Sequence, residues 1–546
     1  MKKTIISLYL LAICACAAQG QADKIQISFK EDMTMVSEGE NGLLLVNVSP
    51  EDLNKIKARG HVSYSDFGAK GDGKTDDIDA VAAAHAVAND QGLKVKAGDG
   101  ETYYLSGKNR TAVIRTDTDF GTASFVIDDR EVMNRNANIF IVSSGMKAFR
   151  PEGITSLRRN QVKIDATFPS TCLITVTNSN VKRYIRFGPN QNNGSSQTDI
   201  FIVDRDGNID MNAPIVWDFD KITDISALPV DETKLTITGG RFTTIANNAE
   251  SKYNYYSRGI AIRRSNVTVN GLEHRVTGEG DHGAPYGGFI NVGDCAYVTV
   301  RNTLFTGHKV YQTTGSAGVT VSMGTYDISV NRALNVSFVN CSQTNDINDS
   351  GYWGILGSNY SKNLLYDNCT FSRFDAHMGV ANATIRNSRL GHQGINAIGS
   401  GTFLVENSTI YSRNLINLRS DYGSTWQGEF IIRNCVFAPS GGKPSGASII
   451  GGSYSGQHDF GYTCHMPERI TIENLQIDDS AHRDDYKGPV IFANFNPKMT
   501  DESYVEKYPY VITKQVTLRN VTIGSGKPLR VSDNPFMFRK VKVSFD

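Results

Sequence analysis

The sequence has little of what would place it in a charged or membrane-bound class. Lys+Arg 56 balance Asp+Glu 56 over 546 residues, so bulk charge gives no affinity for nucleic acid or an anionic membrane. After the first twenty residues no apolar run approaches the ~18 needed to cross a bilayer. Cysteine is scarce, with 8 in all. Cys14 and Cys16 sit in the N-terminal apolar run, which leaves Cys172, Cys295, Cys341, Cys369, Cys435 and Cys464. Three of these directly follow an Asn, as Asn340-Cys341, Asn368-Cys369 and Asn434-Cys435. The same slot elsewhere holds Thr303, Ser388 and Ser408, so these thiols read as small core fillers and not as metal ligands. Spacing alone does not pair Cys341 with Cys369. Disorder is excluded too: 21 % charged residues and 51 Gly fit a folded chain with many tight turns.

What is present is one repeated phrase, a short apolar strand followed by a turn that usually starts with Asn. It reads Val267-Thr-Val-Asn-Gly271, Val298-Thr-Val-Arg-Asn302, Ser337-Phe-Val-Asn340 and Leu364-Leu-Tyr-Asp-Asn368. It continues as Thr384-Ile-Arg-Asn387, Leu404-Val-Glu-Asn407, Ile431-Ile-Arg-Asn434, Thr471-Ile-Glu-Asn474 and Thr517-Leu-Arg-Asn520. Period-two alternation marks strands. A unit of ~20–45 residues cannot bury its own apolar face, so neighbours must stack into a solenoid. Asn tolerates the left-handed turn conformation, and stacked amides form a hydrogen-bonded ladder. The expectation is an all-β chain, a right-handed parallel β-helix with an N-terminal capping helix and a small inserted β region.

Met1-Lys-Lys followed by the apolar run Ile5 to Ala18 reads as a secretory signal peptide with a small-residue exit before Gln21. Secretion or a periplasmic location follows, with a cell-surface lipoprotein at Cys14 or Cys16 as the alternative. The expected division is 1–20 leader, 21–110 N-terminal segment and capping motif, 111–230 inserted β region, and 231–546 parallel β-helix catalytic domain. Within the insert, Ile200-Phe-Ile-Val-Asp-Arg-Asp-Gly-Asn-Ile209 reads as a hairpin turning at Asp206-Gly207. It lacks the Gly offset and terminal Glu of a calcium loop.

The capping motif is Asp66-Phe-Gly-Ala-Lys-Gly-Asp-Gly-Lys-Thr-Asp-Asp77, leading into the Ala-rich Ile78 to Asn89. Thr75 is the expected N-cap and Gly92 the expected end of a helix. This segment resembles the entry motif of the pectate-lyase-like right-handed β-helix superfamily. The resemblance implies carbohydrate chemistry by a lyase, a hydrolase or an epimerase, or a phage tail-spike role, without choosing among them.

A β-helix has no pocket of its own, so function is sought on outward residues of adjacent coils. Asn291, Asn396 and Asn417 each interrupt an apolar strand, and His377 in Ala376-His377-Met378 has the same form. Alternation places them on one outer face. Arg373, Asp375, His392, Arg413, Asn414 and Arg419 lie on the neighbouring turns, with Tyr352, Trp353, Tyr422 and Trp426 beside them. Arg forks bind carboxylate or sulfate bidentately and aromatic faces stack on sugar rings. The site is therefore expected to act on an acidic polysaccharide by β-elimination, with His377 or His392 as base, Arg373 with Asn396 or Asn417 as neutraliser, and Tyr352 or another nearby Tyr as acid. Asn291, Asp375, Asn396, Arg413, Asn414, Asn417, Arg419 and Trp353 are the expected substrate-binding residues. Chondroitin or dermatan sulfate is the first substrate guess and pectic galacturonan the second. A glycoside hydrolase built on Asp346, Asp349 or Asp375 is the alternative, followed by a non-catalytic carbohydrate-binding protein. No cofactor or metal is indicated, since no tight Asp/Glu cluster stands out for calcium.

Overall fold

A computed structural model describes residues 24–545 apart from 31, 281, 282 and 355. The expected leader, with Cys14 and Cys16, lies outside the described residues. Most strands from His61 onward pair in parallel within one 27-stranded sheet. Each central coil lays one strand on each of three sides, which makes the architecture a parallel β-helix. On the first side, Ile262 pairs onward through Val292, Val330 and Ser358 to Ala376, Ala397 and Leu418, whose strand pairs with Ser448–Gly451. On the second side Val267, Val298, Val336, Leu364, Ala383, Phe403, Phe430, Ile470 and Val516 stack in register. All of them are buried. Burying each such aliphatic side chain contributes about 1.5–3 kcal/mol, so the stacked column is a major source of stability.

The Asn ladder forms between the second and third sides. Asn302 donates to Asn270 at 2.7 Å, Asn340 to Asn302 at 3.2 Å and Asn368 to Asn340 at 2.8 Å. Asn474 and Asn520 continue it from Asn434. From Asn302 onward these residues take φ near +50°, the conformation Asn tolerates better than most residues. The ladder is interrupted at Asn387, which donates to the Asp367 carboxylate and not to Asn368, and Asn407 in turn donates to Asn387 at 3.3 Å. A second ladder, Asn335–Asn363–Asn382, runs up the corner between the first and second sides. The six described cysteines are buried free thiols, Cys341 and Cys369 included.

The coils start earlier than expected. Ala112–Ile114, Thr118–Asp128 and Phe140–Ser143 already pair with the solenoid strands. Their corners turn on Gly121 instead of a ladder Asn, so the repeat that announces later coils is missing there. The excursion is thereby confined between Ser143 and Leu235. Its core is the antiparallel sheet Ser195–Val203, Cys172–Arg183, Asp224–Pro229. The turn at Asp206-Gly207 is present, with Gly207 N–H donating to the Asp204 carbonyl at 3.2 Å.

The helix Ile78–Gln91 seals the N-terminal end with Ile78, Val81, Ala84, Val87 and Ala88 buried. Gly92 ends it at φ 66° as expected. Thr75 is not its N-cap: it lies in the strand Asp72–Asp76 and bonds Asp72. Asp77 holds that position, and its carboxylate accepts the backbone N–H groups of Lys70 and Gly71, tying the Gly-rich loop down.

The inserted sheet docks on the corner between the first and second sides. Leu173, Ile200 and Ile202 pack on Ala296 and Leu334. Lys362, buried at that corner, pairs with Asp199 of the insert at 2.7 Å. Breaking a buried pair of this kind costs about 3–5 kcal/mol, so the insert is fixed in place.

Candidate functional site

The outward face of the first side forms the floor of a groove. One register column runs Asn291, Ser329, Gly357, Asp375, Asn396, Asn417 and Gly451. Asp375, not His377, therefore aligns with Asn396 and Asn417. Counting back from the ladder Asn fails here because the corner between Ala376 and Val380 breaks register. His377 lies two residues further along the same face. Asn417 donates to Asn396 at 2.8 Å. Asn291 sits three coils from Asp375, about 14 Å at ~4.8 Å per coil, and is held by Arg263 at 3.0 Å.

At the centre, Asp375 is fully buried and held by two guanidinium groups, Arg373 at 2.7 Å and Arg419 at 3.4 Å. Arg419 also pairs with Asp421 at 2.8 Å, and Asp421 in turn with Arg186 at 2.7 Å. Arg186, Arg419 and Arg373 against Asp375 and Asp421 leave one positive charge in excess. Burial would raise Asp421, but the Arg419 and Arg186 charges outweigh it and hold its carboxyl below the usual range.

His377 stands at the edge of this cluster. Its Nδ1 is 2.8 Å from the Asn359 Oδ1, a pure acceptor, so that nitrogen carries the proton. The Nε2 lone pair is left facing the Tyr422 hydroxyl at 3.4 Å. Burial, then the Arg419 and Arg186 charges, push the imidazole well below its ordinary value and keep it neutral. Burial pushes Tyr422 up to about 12. A neutral imidazole beside a protonated phenol is an acid–base pair ready at neutral pH.

Aromatic side chains surround the pair. The Arg373 guanidinium lies 5.0 Å from the Trp353 ring centre, and Arg186 and Arg419 both lie over Tyr422. Gly357 leaves room on the floor for Tyr326, whose ring would come within 3.2 Å of an added Cβ. Tyr184 of the insert sits above Gly379, where φ is +60° and a Cβ would approach its hydroxyl to 2.7 Å.

Arg373, Asp375, His377, Asn396, Asn417, Arg419 and Trp353 thus gather as expected, and other expectations need correction. His392 belongs to the groove wall: its Nδ1 and its backbone N–H both meet the Ile347 carbonyl. Tyr352 lies in the strand Tyr352–Gly354 that pairs with His308–Lys309 on the wall, so Tyr422 and not Tyr352 faces His377. Trp426 is no platform, being fully buried with its indole N–H donating to the Gly401 carbonyl at 2.9 Å. Asn414 packs against Gly451 at the C-terminal end of the floor, and Arg413 is exposed next to it, beside Gly446. Asp346 and Asp349 accept N–H bonds within their own exposed turn. Sequence reasoning missed Arg186, Tyr184, Tyr326 and Asn359. Arg186 had no local signal, since only the docking of the insert brings it to the site.

A second buried cluster lies off the groove. Asp327 accepts from His274 at 2.7 Å and from His308 at 3.2 Å, and His308 also meets Glu279 at 3.0 Å. Burial opposes the charge on His308, but Glu279 and Asp327 override it and lift the imidazole to about 9. Among the described residues no group of side chains is arranged to hold a metal ion.

No family model matches the chain. A capsule KL64-specific depolymerase of Klebsiella phage P510 is 32 % identical over 104 residues, which is 16 % of this chain and 10 % of that protein. The chain thus spans about a tenth of the curated relative it matches. Two solved structures share the fold. The Gp54 tailspike of Acinetobacter baumannii bacteriophage AP22, solved with a capsular saccharide, superposes with a TM-score of 0.51 at 11 % identity. That match covers 93 % of this chain and 81 % of that one. The Pseudomonas phage phi297 tailspike gp61 gives 0.50 at 11 % identity over 86 % and 84 %. At such identities the likeness is one of fold, the parallel β-helix.

Proposed function

We propose that the chain is a polysaccharide lyase cleaving a uronic-acid polymer by β-elimination. The observation that carries this is the neutral His377 with its unprotonated Nε2 meeting the Tyr422 hydroxyl at 3.4 Å, in a cluster of net positive charge. His377 Nε2 takes the proton from the carbon bearing the uronate carboxyl. The electrons of that C–H bond become the new carbon–carbon double bond, the bond to the leaving glycosidic oxygen breaks, and Tyr422 gives that oxygen its proton. The guanidinium groups stabilise the carboxylate as negative charge develops on it. Arg373 and Arg419 are already engaged by Asp375, which leaves one excess charge. That favours a single carboxylate over a heavily sulfated unit, and so moves a plain uronate polymer ahead of chondroitin or dermatan sulfate.

A hydrolase needs one carboxyl held protonated. Asp421 is held the other way, and Asp375 is locked between two Arg, so the geometry supports elimination better. The fold shared with a saccharide-bound tailspike and the local likeness to a capsule depolymerase agree with a bacterial capsular polysaccharide as the polymer. Action outside the cytoplasm, by secretion or in the periplasm, forms part of the same proposal. Among the described residues no helix is long and apolar enough to cross a membrane.

The test is incubation with pectic, glycosaminoglycan and capsular uronate polymers, read by ultraviolet absorbance of the unsaturated uronate. Absorbance growing with each cleavage supports the reading. New reducing ends without absorbance make the chain a hydrolase, and binding without cleavage makes it a carbohydrate-binding protein.

A further inference from the structure

The tip of the inserted hairpin lies across the groove. Arg186 and Asn192 exchange backbone hydrogen bonds at 3.2 and 3.0 Å, closing residues 187–191 into a loop. At its base this loop is fastened to the side where the chain leaves the floor. Phe187 N–H donates to the Asp421 carbonyl, and the Phe187 ring stacks on His458 at 4.3 Å. Its far end reaches the side where the chain enters the floor. Ala317 N–H donates to the Pro189 carbonyl at 3.1 Å, Ser316 Oγ to the Gln191 carbonyl at 2.8 Å, and Asn190 to the Tyr253 hydroxyl at 2.9 Å. Tyr253 precedes the floor strand Ile260–Arg263, and Ser316 and Ala317 precede the floor residues of Tyr326–Val339. Asp421 follows the floor strand Asn414–Leu418. The loop thus spans the floor diagonally and joins both walls above it, with Arg186 carried on its underside against Asp421.

From this we infer that the strap 186–192 roofs the groove and that the site takes the end of a polysaccharide chain, not its interior. An open β-helix groove admits a long polymer anywhere along its length. A groove bridged wall to wall admits only what can be inserted beneath the bridge, which for a polymer is its terminus. The inference deepens the lyase reading and rests on it for the chemistry. The roof also accounts for how thoroughly Asp375 and Arg373 are buried on a face that alternation directs outward.

Two measurements test it. Products of the polymer cleaved in the panel are followed by size and viscosity from the first minutes. One short unsaturated product from the start, with viscosity falling in proportion to bonds cleaved, is expected. An early collapse of viscosity with a spread of long products overturns the inference while leaving the lyase reading intact. Loosening the strap with Asn190→Ala and Tyr253→Phe should raise the early long-product fraction several-fold, and an unchanged profile counts against the roof. Independently of catalysis, the His377→Ala protein is titrated with length-defined fractions of the same acidic polymers. One protein bound per chain at every length is expected, whereas stoichiometry rising in proportion to length overturns the inference. No binding to any polymer removes both readings.

Discussion

The Tyr422 hydroxyl stands 3.4 Å from Nε2 of His377, although their strands lie two coils apart, while Asn359 holds the opposite ring nitrogen at 2.8 Å. Neither contact contributes much to stability: His377 is half-buried, and the Tyr422 ring, buried against Tyr184 and Met378, keeps its apolar contacts without the hydroxyl. Removing a general base or acid typically costs ~10²–10⁴-fold in rate. His377→Ala and Tyr422→Phe should each lose activity in that range while the melting temperature moves by only a few degrees. Asn359→Leu should lose less, because it removes the orienting contact and keeps the base. Full activity in both His377→Ala and Tyr422→Phe would end the assignment.

The pH profile follows from the same charges. The base works only when neutral, and burial with Arg419 and Arg186 moves its protonation to lower pH. Activity should therefore persist as the pH falls through ~6.5, where an unperturbed His is half protonated. Tyr422, pushed up to about 12, stays protonated through the alkaline range in which the lyase is assayed. Arg186→Gln removes one of the charges holding His377 down, so the acidic limb should move to higher pH. A limb that stays put would mean that another group limits the rate.

The solenoid was legible because its signal is repetitive. Each ladder Asn reports a strand before it and a left-handed turn at it, and the repetition fixes the stacking direction. The same logic failed at 112–143, where Gly121 makes the turn and no Asn marks the coil. In the site, alternation placed Arg373, Asp375 and His377 on one face because those residues share one strand. It misassigned which residue aligns with Asn396, since a corner can gain residues without changing the pattern on either side. His392 and Tyr352 were misplaced because they read as turn residues in the sequence but lie in strands, Arg389–Glu406 and Tyr352–Gly354. Arg186 was out of reach because its position depends on how a separate sheet docks.

Asn368 tests the ladder. It donates to Asn340 at 2.8 Å and sits at φ 54°. Asn368→Ala loses a hydrogen bond of about 1 kcal/mol and adds ~1–2 kcal/mol of left-handed strain. Asn368→Gly loses only the bond. Thermal unfolding should rank wild type above Gly and Gly above Ala, and Ala equal to Gly would show that the turn carries no strain.

The buried His308 gives the opposite pH signature to His377. Its value is lifted to about 9 in the folded state against ~6.5 unfolded. The stabilisation it contributes is fully present below ~6.5 and fades as the pH rises towards 9. The melting temperature should therefore fall between pH 7 and 9. In His308→Gln, which starts lower, that slope should be reduced; an equal slope in both proteins would place the titration elsewhere.

Asp375 separates the two enzymatic readings most sharply. As a hydrolase acid it would be replaceable by Asn with loss of rate and little loss of fold. In the structure it has no exposure and holds Arg373 at 2.7 Å and Arg419 at 3.4 Å. Asp375→Asn leaves two guanidinium groups short of a buried counter-charge, which costs about 3–5 kcal/mol. It also increases the positive charge facing His377 and moves that imidazole further down. The expected result is a melting temperature lowered by several degrees, with residual activity whose acidic limb lies below that of the wild type. A variant that melts like the wild type yet is inactive across the whole pH range would instead assign Asp375 the proton and make the site a hydrolase.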